Sequence, residues 1–356
     1  MASIVAHVEE SSIPNMRCVK DLAESNTLTS IPANYTYYND ADDDTIEAVE
    51  EQIPTIDFSL LTSASPDQRS KTVQELAKAC QEWGFFMVIN HGVPESLTES
   101  MLAACQDFFN QTEEEKASGV GKNVLDPIRS GTSFNASVEN VFFWRDYLKV
   151  LVHPKFHSPP TPPSFSDVSY EYCKRTREVA RELLKGISES LGLEKTYIDK
   201  AMDLESCFQI LIANLYPPCP QPELAMGMPP HSDHGLLTLL IQNQIGGLQL
   251  KHNGKWVTVN PLPNSFLVNT ADHLEILSNG KYKSVIHRVV VNNNATRISL
   301  AIAHGPCSEI KVTPAPELVD NKNNPPAYVG MKYKAYIEMQ QSNPLDQKSC
   351  LDRVRV

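Results

Sequence analysis

Between residues 207 and 313 the chain breaks into short apolar runs, each closed by a turn signal, and no other feature limits its fold as much. The punctuation is Pro217-Pro218, Gly246-Gly247, Asn253-Gly254, Pro263-Asn264, Asn279-Gly280 and Asn292-Asn293-Asn294. Gly and Asn tolerate the positive φ of tight turns, and Pro presets one dihedral of a turn. Regularly spaced short strands with such turns read as an all-β sandwich or barrel. The expected class is therefore mainly β with α, a β core flanked by helices.

The flanks divide the 356 residues into four regions. Residues 1–50 are a polar lead-in ending in the acidic run Asp42-Asp43-Asp44 to Glu50, although Ile31 and Tyr35, Tyr37 and Tyr38 suggest partial packing on the body. Residues 51–200 read as an N-terminal α/β region. Ile53 to Phe58 alternates like a strand, and Ser65-Pro66-Asp67 opens a helix that closes at Gly84. Phe85 to Ile89 is a buried strand, a helix follows over 95–110, and 118–165 reads as irregular. A long amphipathic helix is expected over 167–190, with Val179, Leu183 and Ile187 on one face. Residues 201–315 form the β core, and 316–356 a helical tail covering the pocket, with its helix at 328–342.

Composition narrows the function. Lys and Arg number 31 against 43 Asp and Glu, a formal charge of −12. Nucleic acid and anionic membrane surfaces demand clustered basic residues, so neither is an expected partner. No apolar run has membrane-spanning length, and the N-terminus lacks the basic start and apolar stretch of a signal peptide. Eight cysteines are scattered without a C-x-x-C pair, which fits free thiols in a reducing compartment. The expected setting is the cytoplasm, with the nucleus open to it, and the expected partner is a small-molecule substrate on a monomeric protein.

His231-Ser232-Asp233 places two ligand-type side chains at i and i+2, on one side of a strand or strand end. His287 follows 54 residues after Asp233. Two imidazoles and a carboxylate on one face of an octahedron leave three positions open, the ligand set of non-haem Fe(II) oxygenases. Ten residues beyond His287, Arg297-Ile298-Ser299 puts a guanidinium fork and a hydroxyl on one strand face. That pair suits the distal carboxylate of a dicarboxylate. Asn214 and Tyr216 likewise share a face, and Tyr216 is placed to donate to the acid's other end.

These residues sit in longer strings: Asn214-Leu-Tyr-Pro-Pro-Cys-Pro-Gln-Pro222, Pro230-His-Ser-Asp-His234, Gly247-Leu-Gln-Leu250, and Leu274 through Ser278-Asn279-Gly280 to His287-Arg288. Upstream stand Ile53-Pro-Thr-Ile-Asp57, Trp83-Gly-Phe-Phe86 and Asn90-His-Gly-Val-Pro94. Together they resemble the plant Fe(II)/2-oxoglutarate-dependent dioxygenases of specialised and hormone metabolism, over about residues 50–345. The resemblance implies a double-stranded β-helix (jelly-roll) core. It implies iron on His231, Asp233 and His287, with 2-oxoglutarate on Arg297, Ser299 and Tyr216. Asn214 orients Tyr216 or contacts the co-substrate by the same analogy. It further implies O2 as oxidant, ascorbate as reductant, and release of succinate and CO2 as the substrate is hydroxylated, O-demethylated or desaturated.

Around the open metal face the expected substrate wall is Phe134, Phe143, Tyr147, Ile212, Ala303 and the C-terminal helix near Tyr333 and Ile337. Relatives in flavonoid synthesis often carry an aromatic residue at the Ala303 slot and a basic or polar one at Ile212, so a roomier, greasier pocket for a bulky, weakly polar plant metabolite is expected. His234, His91, His273, His304, His153 and His157 are read as structural. Trp144-Arg145-Asp146 is read as an aromatic anchor with a local ion pair. Three competing readings stand. A 2-oxoglutarate-independent oxidase of the same superfamily differs by releasing no succinate, and a non-catalytic jelly-roll binding protein by holding no iron. A zinc hydrolase lacks a general-base Glu near H-x-D.

Overall fold

A computed structural model describes residues 18–25, 28–38, 52–62, 65–121, 123, 125–134, 138–320, 322–345 and 350–356. The acidic run from Asp42 to Glu50 lies outside them. The strands that build the site are β1 (Thr55–Asp57), β2 (Phe85–Ile89), β3 (Ile128–Thr132), β4 (Asp146–His153), β5 (Gln209–Tyr216) and β6 (Met226–His231). They continue as β7 (Leu237–Gln242), β8 (Leu248–His252), β9 (Lys255–Thr258), β10 (Phe266–Thr270), β11 (His287–Val290) and β12 (Arg297–His304).

Eight of these strands form one sheet in the order β1-β2-β10-β7-β12-β5-β4-β3, and four form a second in the order β6-β11-β8-β9. Strands drawn from both ends of the chain interleave in the large sheet. β2 pairs antiparallel with β10, and β4 with β5.

Alternation along β12 explains how the sheet is used. Ile298, Leu300 and Ile302 point to one side, where they join a core with Val179, Leu183 and Ile187 of the long helix Pro163–Ser190. Fully burying such side chains contributes about 1.5–3 kcal/mol each. Arg297, Ser299 and Ala301 point to the other side, into the space between the two sheets.

The helix expected after Ser65 is present as Pro66–Lys78, with the Ser65 hydroxyl accepting from the Gln68 N–H, and a π turn at Ala79–Trp83 closes it. Gly84 then takes φ +63°, against the Lys283 carbonyl, where a Cβ has no room. The helix expected over 328–342 is Tyr333–Gln341. In the lead-in, Tyr35 is buried edge-on against Trp144, whereas Tyr38 is exposed.

One expectation fails. The stretch 118–165, read as irregular, contains β3 and β4. Gly131 and the loops on either side mask β3. β4 carries Tyr147 and Leu151 on the same face as Lys149, so its run lacks the polar alternation a half-buried strand shows.

Candidate metal centre and cavity

β6 and β11 lie side by side, with His231 and His287 directly opposite each other. Their ring centroids are 4.2 Å apart. Asp233 follows β6 by two residues, and Gly235, at φ +98° and hard against the His304 carbonyl, turns the chain away behind it. The ligand atoms of His231, Asp233 and His287 all lie within 4.8 Å of one another. Both imidazole Nε2 atoms stand 3.7 Å from Asp233 Oδ1.

The tautomers follow from the backbone. His231 Nδ1 lies 2.8 Å from the Pro229 carbonyl and His287 Nδ1 lies 3.1 Å from that of Val285. A carbonyl only accepts, so each Nδ1 carries the proton and each Nε2 presents a lone pair toward the carboxylate. Burial, with His287 alongside, pushes His231 down to about 3, so it stays neutral near pH 7. Burial alone would raise Asp233; the two imidazoles and the hydrogen bond from Asn269 outweigh it and hold the carboxyl at about 2. Asn269, on β10 of the opposite sheet, donates to Asp233 Oδ2 at 3.0 Å and leaves Oδ1 for the shared centre. Two imidazoles and one carboxylate, aimed by their neighbours, fit a divalent iron with open positions.

The eight-stranded sheet supplies a place for an acid. Arg297 is 1% exposed, and its hydrogen bonds run to Gln242 and, at 3.3 Å, to the Ser299 hydroxyl. Its guanidinium sits 5.0 Å from the centre of the Tyr216 ring. No carboxylate pairs with it among the described residues. A buried guanidinium costs free energy unless an anion joins it, and Asn214 Oδ1 beside it also lacks a partner. Asn214 Nδ2 donates to Ser299 at 3.5 Å. Register explains the cluster: Arg297 faces Tyr216, and Ser299 faces Asn214, across β12 and β5. These side chains fit a dicarboxylate whose distal end meets Arg297 and Ser299.

Both groups open on one cavity of about 1050 Å³, its mouth included. Phe134, Tyr147 and Ile212 line it as expected, but Phe143, Ala303 and Tyr333 do not. Phe143 is 1% exposed and packs edge-on against Tyr37. Ala303 shares the cavity-side face of β12 but lies beyond Ala301, where the lining ends, opposite Thr238 and Ile210. Tyr333 is fully buried behind the wall, its hydroxyl 2.8 Å from His234 Nδ1 and its ring edge-on to His273. The C-terminal helix instead reaches the cavity one to two turns later, through Gln340 and Gln341, with Leu345 beyond it.

The wall also carries Arg129, Arg145 and Lys149, which the sequence reading did not assign. Arg145 makes no ion pair with Asp146: neighbours on a strand point to opposite sides. Asp146 caps the helix Val19–Ala23 through the backbone N–H groups of Val19 and Lys20, while Arg145 faces the cavity beside Met228 and Tyr147. Trp144 is the expected anchor, fully buried with Nε1 donating to Pro217 at 3.1 Å.

His234, His273 and His304 are held low by burial, at about 4, 3 and 3, and act as neutral packing groups. Among the described residues no helix is long and apolar enough to cross a membrane.

Comparison with known proteins agrees with this geometry. Residues 207–306 match the model of the 2OG-Fe(II) oxygenase superfamily, and residues 53–168 that of the non-haem dioxygenase N-terminal region in morphine synthesis. The chain is 47% identical over 305 residues to 2-oxoglutarate-dependent dioxygenase 19 of Oryza sativa subsp. japonica, covering 85% of this chain and 90% of that one. It is 36% identical to oxoglutarate-dependent flavonoid 7-O-demethylase 1 of Ocimum basilicum, covering 100% and 94%. A crystal structure of JOX2 in complex with 2OG, Fe and JA superposes with a TM-score of 0.84 at 31% identity, covering 96% of this chain and 98% of that one. The two sheets with a half-buried His-Asp-His cluster between them, and relatives alike over most of their length, make this chain a member of the Fe(II)- and 2-oxoglutarate-dependent dioxygenases.

Proposed function

We propose that His231, Asp233 and His287 hold the iron, that Arg297 and Ser299 hold the distal carboxylate of 2-oxoglutarate, and that Tyr216 and Asn214 complete its seat. The observation that carries the reading is the paired Nδ1–H contacts to Pro229 and Val285, which leave two Nε2 lone pairs converging on Asp233. Iron, when bound, couples oxidative decarboxylation of 2-oxoglutarate by O2 to oxidation of a C–H bond. The protein's part is positional. Asn269 fixes the carboxylate's orientation. Arg297 neutralises and aligns the co-substrate. The apolar wall of Phe85, Leu240 and Leu267 excludes water from the reacting centre. No side chain here is needed as an acid or base.

The substrate in this reading is a small plant metabolite whose apolar body lies on that wall. The C–H bond it presents decides among hydroxylation, O-demethylation and desaturation. Asp233→Ala and His231→Ala are expected to abolish anaerobic Fe(II) binding and succinate release while far-ultraviolet circular dichroism stays unchanged. Full iron affinity in either variant refutes the ligand assignment.

A further inference from the structure

One row of side chains crosses the large sheet in register: Arg129, Lys149, Ile212, Ala301, Leu240 and Leu267, from β3 to β10. All six line the cavity. Four are apolar and form a greasy floor. The other two are cations placed directly opposite each other at its β3–β4 end. Like charges at opposed positions of an antiparallel pair destabilise it, so the row breaks a local rule at a cavity wall.

Nothing in the protein relieves that repulsion among the described residues. The Lys149 ammonium makes no hydrogen bond or ion pair, and burial, with Arg129 next to it, pushes it down to about 8. Arg129 donates one N–H to Gln341 at 3.4 Å, a neutral acceptor. The cofactors do not neutralise these cations either. The charge of iron(II) and Arg297 is balanced by that of Asp233 and a 2-oxoglutarate dianion, which leaves Arg129, Lys149 and Arg145 unmatched on the wall of the loaded cavity.

We propose that Lys149 and Arg129 form an anion subsite that takes the carboxylate of the substrate, whose apolar body lies along Ile212, Ala301, Leu240 and Leu267. A carboxylate offers two oxygens to two donors side by side, and a charge-assisted pair in an enclosed site is about twice as strong as a neutral hydrogen bond. The subsite narrows the substrate class from a weakly polar metabolite to an apolar acid. It rests on the dioxygenase reading above, because the acid's position matters only if the C–H bond it presents faces the iron.

The test uses the full chain loaded anaerobically with Fe(II) and 2-oxoglutarate, titrated in a calorimeter. The probes are trans-cinnamate, 4-phenylbenzoate and octanoate, each against its primary amide. At least one acid is expected to bind roughly tenfold or more tightly than its amide, the equivalent of one charged hydrogen bond. Lys149→Met is expected to erase that preference by weakening the acid and sparing the amide. Lys149→Arg is expected to keep it, and Arg129→Gln to reduce it. The proposal is overturned if acids and amides bind alike, if no acid binds, or if Lys149→Met weakens acid and amide equally, as a packing role requires. Loss of 2-oxoglutarate binding in Lys149→Met with the acid preference intact also overturns it. Failure of the wild type to bind Fe(II), or to release succinate from 2-oxoglutarate when O2 is admitted, defeats the dioxygenase reading itself and the subsite with it. With those two properties intact, a missing acid preference defeats the subsite only.

Discussion

At the residue scale, the most consequential side chain after the three proposed metal ligands is Arg297. It is buried, its neighbours Gln242, Ser299 and Tyr216 are neutral, and without a bound acid its charge is uncompensated. Arg297→Met keeps the volume and removes the charge. Replacing an unpaired buried ion with an apolar side chain is commonly neutral or stabilising, so the unliganded variant is expected to melt at or above the wild-type temperature. Its affinity for 2-oxoglutarate is expected to fall by about a hundredfold or more, as when one partner of a buried pair is lost. Thermal shift with and without 2-oxoglutarate checks both parts. A variant that is less stable without ligand and unchanged with it would show a structural arginine instead. Arg297 was legible in the sequence because its partner Ser299 stands at i+2, and one strand's period puts them on one face. The same held for His231 and Asp233. Lys149 and Arg129 were not legible: they meet only because β3 pairs with β4 across 20 residues of sequence, and no local pattern encodes that register. Ala303 shows the limit from the other side. The slot it shares with relatives pointed to the cavity, but where the cavity stops depends on neighbouring strands.

At the element scale, the helix Asp272–Leu277 joins the C-terminal tail to the metal loop. All six of its residues are buried. The Tyr336 hydroxyl donates to Asp272 Oδ2 at 2.7 Å, and Tyr328 and Arg355 both reach Glu275 Oε1, at 2.6 and 3.1 Å. On the other side the Asp272 N–H donates to the Asp233 carbonyl at 2.9 Å. Burial outweighs the hydrogen bonds from Tyr336 and Ser232 and raises Asp272 to about 7. A folded-state value above the ordinary carboxylate range means that the native state holds a proton the unfolded chain has released. The group therefore lowers stability progressively as pH rises from about 4 to about 7. Asp272→Asn removes that dependence. Its melting temperature is expected to exceed that of the wild type most at pH 8, with the difference shrinking as pH falls toward 4. Melting curves across this range check it, and a constant offset would mean that Asp272 is not the group responsible. The tail's helix, expected over 328–342, is present as Tyr333–Gln341. Its reach was not legible in the sequence: Tyr333 and Ile337 are buried against the core, and the same stripe emerges into the cavity only at Gln341.

At the scale of the whole molecule, the interleaved sheet carries the argument. Strand order shows β10 flanked by β2 and β5 flanked by β4, so the core strands from residues 201–315 draw their outer neighbours from residues 51–200. The long helix Pro163–Ser190 covers the face opposite the cavity. A chain cut near residue 200 would leave β10 and β5 as open edges, together with a bare apolar face, and both promote aggregation. Although four regions are apparent in the sequence, the pairing predicts that the strands from β1 to β12 unfold as a single cooperative unit, and that can be measured. Trp83 and Trp144 lie in the N-terminal region and Trp256 on the small sheet, all buried. A variant retaining only Trp256 and one retaining only Trp144 are each unfolded in urea and followed by fluorescence and by far-ultraviolet circular dichroism. In each variant the two signals are expected to share one midpoint, since no part of the large sheet can open without exposing the rest. An earlier fluorescence transition at Trp144 than in the dichroism would show the N-terminal region melting by itself. In that case the cations on β3 and β4 would belong to a wall that opens independently of the iron site, rather than to one rigid cavity.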